Sequence, residues 1–348
     1  MDANNPEEGS GMRHIHPYRH PSRSLAWLSI TCLCLACAAC SGNAGPLLAD
    51  CPPGMVCYGP VAPVPVATPE YVTTQVGSPV TFHAVTLNVS TPGLTYQWAR
   101  SSDAGAHYTE IPGATTDTLT LAAPNLADDA TDFRVTASES GLSGAAVTHL
   151  AVSASPGVVF QDGEFALADW VATPLADGSV PAPIEAEQAP ATGGFPGAYR
   201  SMAMQFAPTF NQGSVVHASL PSTWDPSTQG AVHVIDYAED GIAQTSTAVR
   251  HAEAAMLLEQ AGRRYVSDPR NSFHYASVAW SVSLASASLR AQDFHLIDGP
   301  ACGAGESCPD FSSAGASMRF GYWRRCVSTT DTSFTNGIDN WKVTVWKR

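Results

Sequence analysis

The stretch LADDATDFRVTAS, Leu126 to Ser138, decides how the rest of the chain is read. From Thr131 onward its apolar and small residues recur at every second position, so Phe133, Val135 and Ala137 share one face of an extended strand. The same alternation runs outward in both directions. SPVTFHAV places Val80, Phe82 and Ala84 together, LTYQWA places Leu94, Tyr96 and Trp98, and TLTLAA places Leu119 and Leu121. AAVTHLAVS does the same with Ala146, Thr148, Leu150 and Val152. Turn signals at Pro92-Gly93, Pro112-Gly113 and Gly141 separate these runs. Short alternating strands at such intervals predict a β-sandwich.

The whole composition agrees with an all-β chain. Charged residues make up 14% of the 348, and Gly, Pro, Ser, Thr and Ala are spread throughout, which favours short strands and turns over long helices. The length predicts two folded units and a leader. A net charge of -14, with lysine only at Lys342 and Lys347, excludes nucleic acid as a partner, because backbone binding needs a positive face. An acidic surface suits solubility, cation binding or a neutral ligand such as a glycan.

Residues 69–154 resemble a bacterial immunoglobulin-like domain. Trp98 matches the buried tryptophan of its third strand, and the quoted stretch matches the approach to its sixth. The two cysteines of the usual disulfide between the sheets are replaced by Ala84 and Val135, and the corner tyrosine by Phe133. The resemblance therefore implies a core held by packing alone, with Trp98 inside it.

Ahead of this domain, residues 1–40 have the parts of a secretory signal. A segment rich in Arg and His, Arg13 to Arg23, precedes the apolar run LAWLSITCLCLACAA, which is too short to span a bilayer comfortably. Met12 is a candidate start. The exit LACAACSGN resembles the lipobox of bacterial lipoproteins, which makes Cys40 the expected lipidation site, with Cys37 as the alternative. Residues 41–68 are rich in proline and read as a stiff spacer. In an oxidising compartment the expected local pairings are Cys51 with Cys57 and Cys302 with Cys308, leaving Cys326 over unless it takes one of the latter pair.

Residues 157–348 alternate again, in SVVHASL, GAVHVIDYA and WSVSLASASL. Thr247 to Arg264 has good helix formers; the preferred reading is instead a strand hairpin over Ala255 to Val266 that turns at Ala261-Gly262. The opening VFQDGEFALADW and the close GIDNWKVTV are similar to the ends of extracellular jelly-roll domains, including carbohydrate-binding modules and concanavalin-like sandwiches. In several such modules the first and last strands clamp a structural calcium ion. That resemblance makes Asp162, Glu164 and Asp339 its expected oxygen ligands, with Asn340 as a possible addition. The alternative at Asp339-Asn340 is a turn closed by local hydrogen bonds.

Glycan binding needs an exposed ring to stack on a sugar and polar groups for its hydroxyls. The candidate rings are Trp224, Tyr237, Tyr265, Tyr322 and Trp323, and the candidate polar partners are Asp236, Glu239, Asp240, Gln260, Arg263, Arg319 and Arg324. Tyr237 with Asp236, and Gln260 with Arg263, carry most weight, because polar groups within strands are costly unless exposed or paired. Trp170, Trp341 and Phe320 are assigned to the core. VIDYAED resembles the Glu-x-Asp-x-x-Glu strand of laminarinase-type hydrolases, but Val234 stands where the nucleophile belongs, so no catalytic residue is expected from it. The histidines are scattered singly. The expected protein is a lipid-anchored envelope protein, periplasmic or on the cell surface, recognising a polysaccharide or glycoconjugate without catalysis. The rivals are a structural or adhesive surface protein that binds another protein, and a glycan-degrading enzyme. The last would require two carboxylates, or a Tyr-Arg-His group, converging in one cleft.

Overall fold

The computed structural model describes residues 61–89, 93–176, 182–206, 212–243, 249–268, 271–273, 280, 282–297, 299, 302, 308–328 and 333–348. The chain divides into Met1–Gly59 and one compact unit, Pro60–Arg348, and everything described lies in the second. The signal and lipidation readings, with Cys40, Cys51 and Cys57, lie outside the described residues.

The first sandwich contains β1 (Val64–Thr68), β2 (Tyr71–Gln75), β3 (Val80–Leu87), β4 (Thr95–Ser101), β5 (Thr109–Glu110), β6 (Thr118–Leu121), β7 (Thr131–Glu139) and β8 (Leu142–Ser153). One sheet has the order β1-β3-β6 and the other β2-β8-β7-β4-β5, antiparallel except where β2 runs parallel to β8. The alternation places Phe82, Trp98, Phe133, Val135 and Leu150 in one apolar cluster between the sheets. Ala84 and Val135, at the positions of the missing cysteines, are buried in that cluster. The Trp98 indole N–H donates to the Thr116 carbonyl at 3.0 Å, so its one polar atom is satisfied inside the core. Val64–Thr68, read from sequence as the end of the spacer, is instead a strand paired with β3. Its proline, Pro65, is tolerated because β1 is an edge strand, where a missing N–H breaks no ladder.

The second sandwich follows with β9 (Val158–Asp162), β10 (Trp170–Leu175), β11 (Ile184–Gln188), β12 (Arg200–Gln205), β13 (Gln212–Trp224), β14 (Val232–Ala243), β15 (Val249–Gln260), β16 (Arg263–Ser267), β17 (Asn271–Phe273), β18 (Val282–Leu289), β19 (Phe294–Leu296), β20 (Met318–Ser328) and β21 (Ser333–Lys347). One sheet runs β10-β13-β20-β15-β16-β19, with β17 also on β15; the other runs β11-β12-β21-β14-β18, with β9 also on β21. This is the larger jelly-roll sandwich. The stretch with helix-forming composition is the β15–β16 hairpin, whose turn residues Ala261 and Gly262 have φ of +50° and +74°, the left-handed pair that a tight hairpin needs. Trp170, Tyr322, Phe320, Trp341 and Val343 fill the space between the sheets.

The two sandwiches share polar contacts. The Asp236 carboxylate accepts from the Thr73 hydroxyl, the Ser288 N–H and the Trp346 indole, each at 2.7 Å. Asp129 of the first sandwich meets His233 Nε2 of the second at 2.9 Å.

Candidate functional site

Most of the strand residues expected to contact a ligand are inside. Trp224, Tyr237, Tyr265 and Tyr322 belong to the central apolar cluster and are at most 3% exposed, so none offers a ring face to a sugar. Trp323 points to the opposite face of its sheet and is buried there among Val216, Leu257 and Val266. Asp236 belongs to the contact between the sandwiches. Gln260 is a strut: its amide donates to the carbonyls of Asp310 and Ala316 and accepts from the Asp310 N–H at 2.7 Å, holding the turn between those two residues. Arg263 is exposed at the hairpin tip, and Arg319 reaches Glu259 at 3.6 Å. Cys326 lies buried in β20, outside the Cys302–Cys308 disulfide. Period-two alternation is real in these strands, but the aromatic set faces inward.

The first and last strands do lie side by side, with Asp162 opposite Trp341. The carboxylates there are nevertheless committed to N–H donors. Asp162 accepts from the N–H groups of Glu164 and Phe165 and from the Trp170 indole, which closes a turn and anchors a core ring. Asp339, wholly buried, accepts from the Asn340 N–H at 2.7 Å and from the Phe195 N–H. N–H donors thus point at both oxygens of Asp162 and of Asp339, and Asp162, Glu164 and Asp339 are not a group whose ligand atoms converge. The local-turn alternative describes Asp339-Asn340 better, with Asn340 at φ +49°.

That turn builds a surface feature which strand patterning did not flag. The loop Gly193–Tyr199 folds over it, and the Asn340 side-chain amide donates to the Phe195 carbonyl at 2.5 Å and to Asp240 at 2.8 Å. A side chain on Gly194 would meet Asp339 Oδ2 at 2.6 Å and the Ala198 carbonyl at 2.3 Å, so glycine is what lets the loop close down. The loop holds the Phe195 ring 57% exposed. Beside it the Tyr199 and Trp280 rings meet edge to face at 5.3 Å, and the Trp280 indole donates to the Gly193 carbonyl at 2.7 Å. Aromatic surface thus adjoins Asp240 and Asn340.

A second group lies between the sheets. Glu185 and Glu187 alternate inward from β11, Arg200 comes from β12, and His217 and Tyr322 come from β13 and β20. Arg200 Nη2 lies 2.6 Å from Glu187 Oε2, and the His217 ring nitrogens lie 3.1 Å from Glu185 and 3.5 Å from Glu187. His217 stacks on Tyr322 at 4.4 Å, and the Arg200 guanidinium sits 5.3 Å above the Trp170 ring. Burial pushes the Glu185 carboxyl up to about 8, with the Glu187 charge adding to the effect. Burial holds His217 down at about 4. For Glu187 burial opposes the charge, but the His217 contact and the Arg200 guanidinium win and keep its carboxyl below the ordinary range. Further along, Arg324 Nη2 pairs with Glu239 Oε1 at 2.9 Å, and the Tyr237 hydroxyl donates to Glu239 Oε2 at 2.5 Å. Burial raises the Glu239 carboxyl. The Arg324 guanidinium, which keeps its proton, and the Tyr237 hydroxyl oppose that rise and favour the charged carboxylate.

Tyr322, Arg200 and His217 are a Tyr-Arg-His group, but each is wholly buried, and the lining is the interior of the sandwich and not a cleft. The Glu-x-Glu spacing in IEAEQ was the available sequence signal for this cluster. Its partners, 13 to 32 residues on, were not.

Among known families, the one described as Domain of unknown function (DUF8696) matches residues 72–155, within the first sandwich. No curated protein matches the chain. A solved structure described as "Structural basis for the promiscuous specificity of the carbohydrate-binding modules from the beta-sandwich super family" aligns with 81% of this chain and 98% of its own, at 11% identity and a TM-score of 0.28. A marsupial T cell receptor aligns with 45% of this chain and 94% of its own, at 12% identity and a TM-score of 0.23. Neither likeness bears on function.

Proposed function

We propose that this chain is a non-catalytic envelope protein that binds a polysaccharide or glycoconjugate on its larger sandwich, with the Phe195 loop as the contact surface. One observation carries the reading: the Phe195 ring is 57% exposed on a loop held from beneath by Asp339 and Asn340. An aromatic face fixed in advance stacks on a sugar at little cost in ordering, and Asp240 with the Asn340 amide supplies hydroxyl partners alongside. The strand rings named from sequence give way to loop rings, while the ligand class stays the same. The leader, with Cys40 as its lipidated residue, would hold this sandwich outside the cytoplasm. Groups suited to acid and base work are enclosed between the sheets, where a polymer chain does not reach them.

The test is calorimetric titration of the full chain with a panel of neutral and acidic polysaccharides, read beside Trp280 fluorescence. Loss of the ring in Phe195→Ala should weaken binding by about 1.5 kcal/mol, roughly tenfold in Kd. Binding that ignores this substitution, or release of new sugar ends from any polymer, would overturn the proposal.

A further inference from the structure

The space between the two sheets of the larger sandwich contains donors without hydrogen bonds. Neither oxygen of Glu185, nor Oε1 of Glu187, nor either ring nitrogen of His217 makes a well-aligned hydrogen bond, and their close polar contacts are with one another. His217 is wholly buried, and the Glu185 side chain is 3% exposed. Buried polar atoms are nearly always paired, and several lacking partners in one place call for an explanation. Here they point at one another. One ligand atom from each of the three side chains lies within 4.8 Å of the others, the sole such group among the described residues.

We propose that Glu185, Glu187 and His217 hold a divalent metal ion of the zinc class, which fastens strand β11 to strand β13 across the sandwich. One imidazole nitrogen and two carboxylate oxygens form a donor set that suits a borderline cation such as zinc. Ligands about 2 Å from a tetrahedral ion stand roughly 3.3 Å apart. The 3.1 Å between His217 Nε2 and Glu185 Oε1 is of that size, and a ligand atom of Glu187 lies within 4.8 Å of one from each of the other two residues.

The surroundings are those of a ligand set held in position. Arg200 takes Glu187 Oε2 at 2.6 Å, which orients that carboxylate and leaves Oε1 for the ion. Tyr322 stacks on the His217 ring with 12° between planes and fixes its tilt. The consequence is mechanical. β11 is the edge strand of one sheet and β13 lies next to the edge of the other, so an ion between them closes the sandwich along its open side.

The experiment uses the full chain, stripped with a strong chelator and returned to zinc, cobalt or calcium. Elemental analysis should find about one zinc per chain, and the melting temperature should rise with free zinc, because an ion that binds only the folded state stabilises it. Calcium should give no such rise, since nitrogen and two carboxylates are too few hard donors for it. His217→Gln and Glu185→Gln should each reduce bound zinc at least tenfold. Should those variants fail to fold, the visible spectrum of the cobalt-loaded wild type decides: tetrahedral bands with a histidine contribution support the site. Zinc below a tenth of an equivalent on folded wild type would overturn it. Zinc retained equally by the folded His217→Gln chain would do the same.

Discussion

Replacing Arg324 by methionine strands a charge. Glu239 is fully enclosed, and its partners are Arg324 Nη2 at 2.9 Å and the Tyr237 hydroxyl at 2.5 Å. Arg324→Met keeps most of the side-chain volume but removes the cation, and the enclosed carboxylate then takes up a proton. Neutralising a carboxyl costs about 1.4 kcal/mol for each pH unit between its ordinary value near 4.3 and the buffer. That sets an upper bound of about 3.7 kcal/mol at pH 7 and about 1 kcal/mol at pH 5, since burial already raises the Glu239 carboxyl in the wild type. Loss of the guanidinium from above the Tyr322 ring, at 4.7 Å, adds about 0.5 kcal/mol at either pH. Urea unfolding of the variant should therefore show a loss of up to roughly 4 kcal/mol at pH 7, in line with other broken buried pairs, and at most about 1.5 kcal/mol at pH 5. In the double variant, Arg324→Met with Glu239→Gln, no carboxyl is left to protonate and the difference between the two pH values should vanish. A loss under about 1 kcal/mol at pH 7, or an equal loss at both, would refute the buried ion pair.

Three further outcomes follow from packing and charge. Trp98→Ala should cost about 3–5 kcal/mol, because the fully buried indole fills the centre of the first sandwich and no disulfide holds that core; denaturant midpoints check it. Gly321→Ala should abolish the native fold or its solubility, since the added carbon would lie 2.0 Å from the His217 carbonyl in a paired strand; an unperturbed circular dichroism spectrum and melting curve would count against the β13–β20 register. Burial pushes the Asp129 carboxyl up, but the His233 contact, the Val152 N–H and Arg290 outweigh it and keep its value low. A folded value below the unfolded one adds stability above the ordinary range, lost as pH falls through the folded value. Wild type should exceed Asp129→Asn by about 1.5 kcal/mol near pH 6, with the gap closing below about pH 4.

How much of the candidate site was legible depends on distance along the chain. The Glu-x-Glu pair of β11 sits in one strand and could be read locally. Its meeting with Arg200 and His217 required the register of three strands in two sheets. The Phe195 loop gave no periodic signal, since its exposure comes from the hydrogen bonds to Asp339 and Asn340, more than 140 residues away.

The sequence by itself determined that the chain is all-β, where most strands run, that Trp98 is core, and that Ala261-Gly262 turns a hairpin. The core place of Trp98 is what the resemblance to an immunoglobulin-like domain implied; the rest follows from period-two alternation and left-handed turn residues, which are properties of neighbouring positions. Tertiary structure alone decided which face of each strand looks inward. Alternation places Tyr237 and Glu239 on one side of their strand, but it carries no sign. The sign was set by packing two sheets against each other, and that packing enclosed the polar groups that sequence reasoning had expected at the surface.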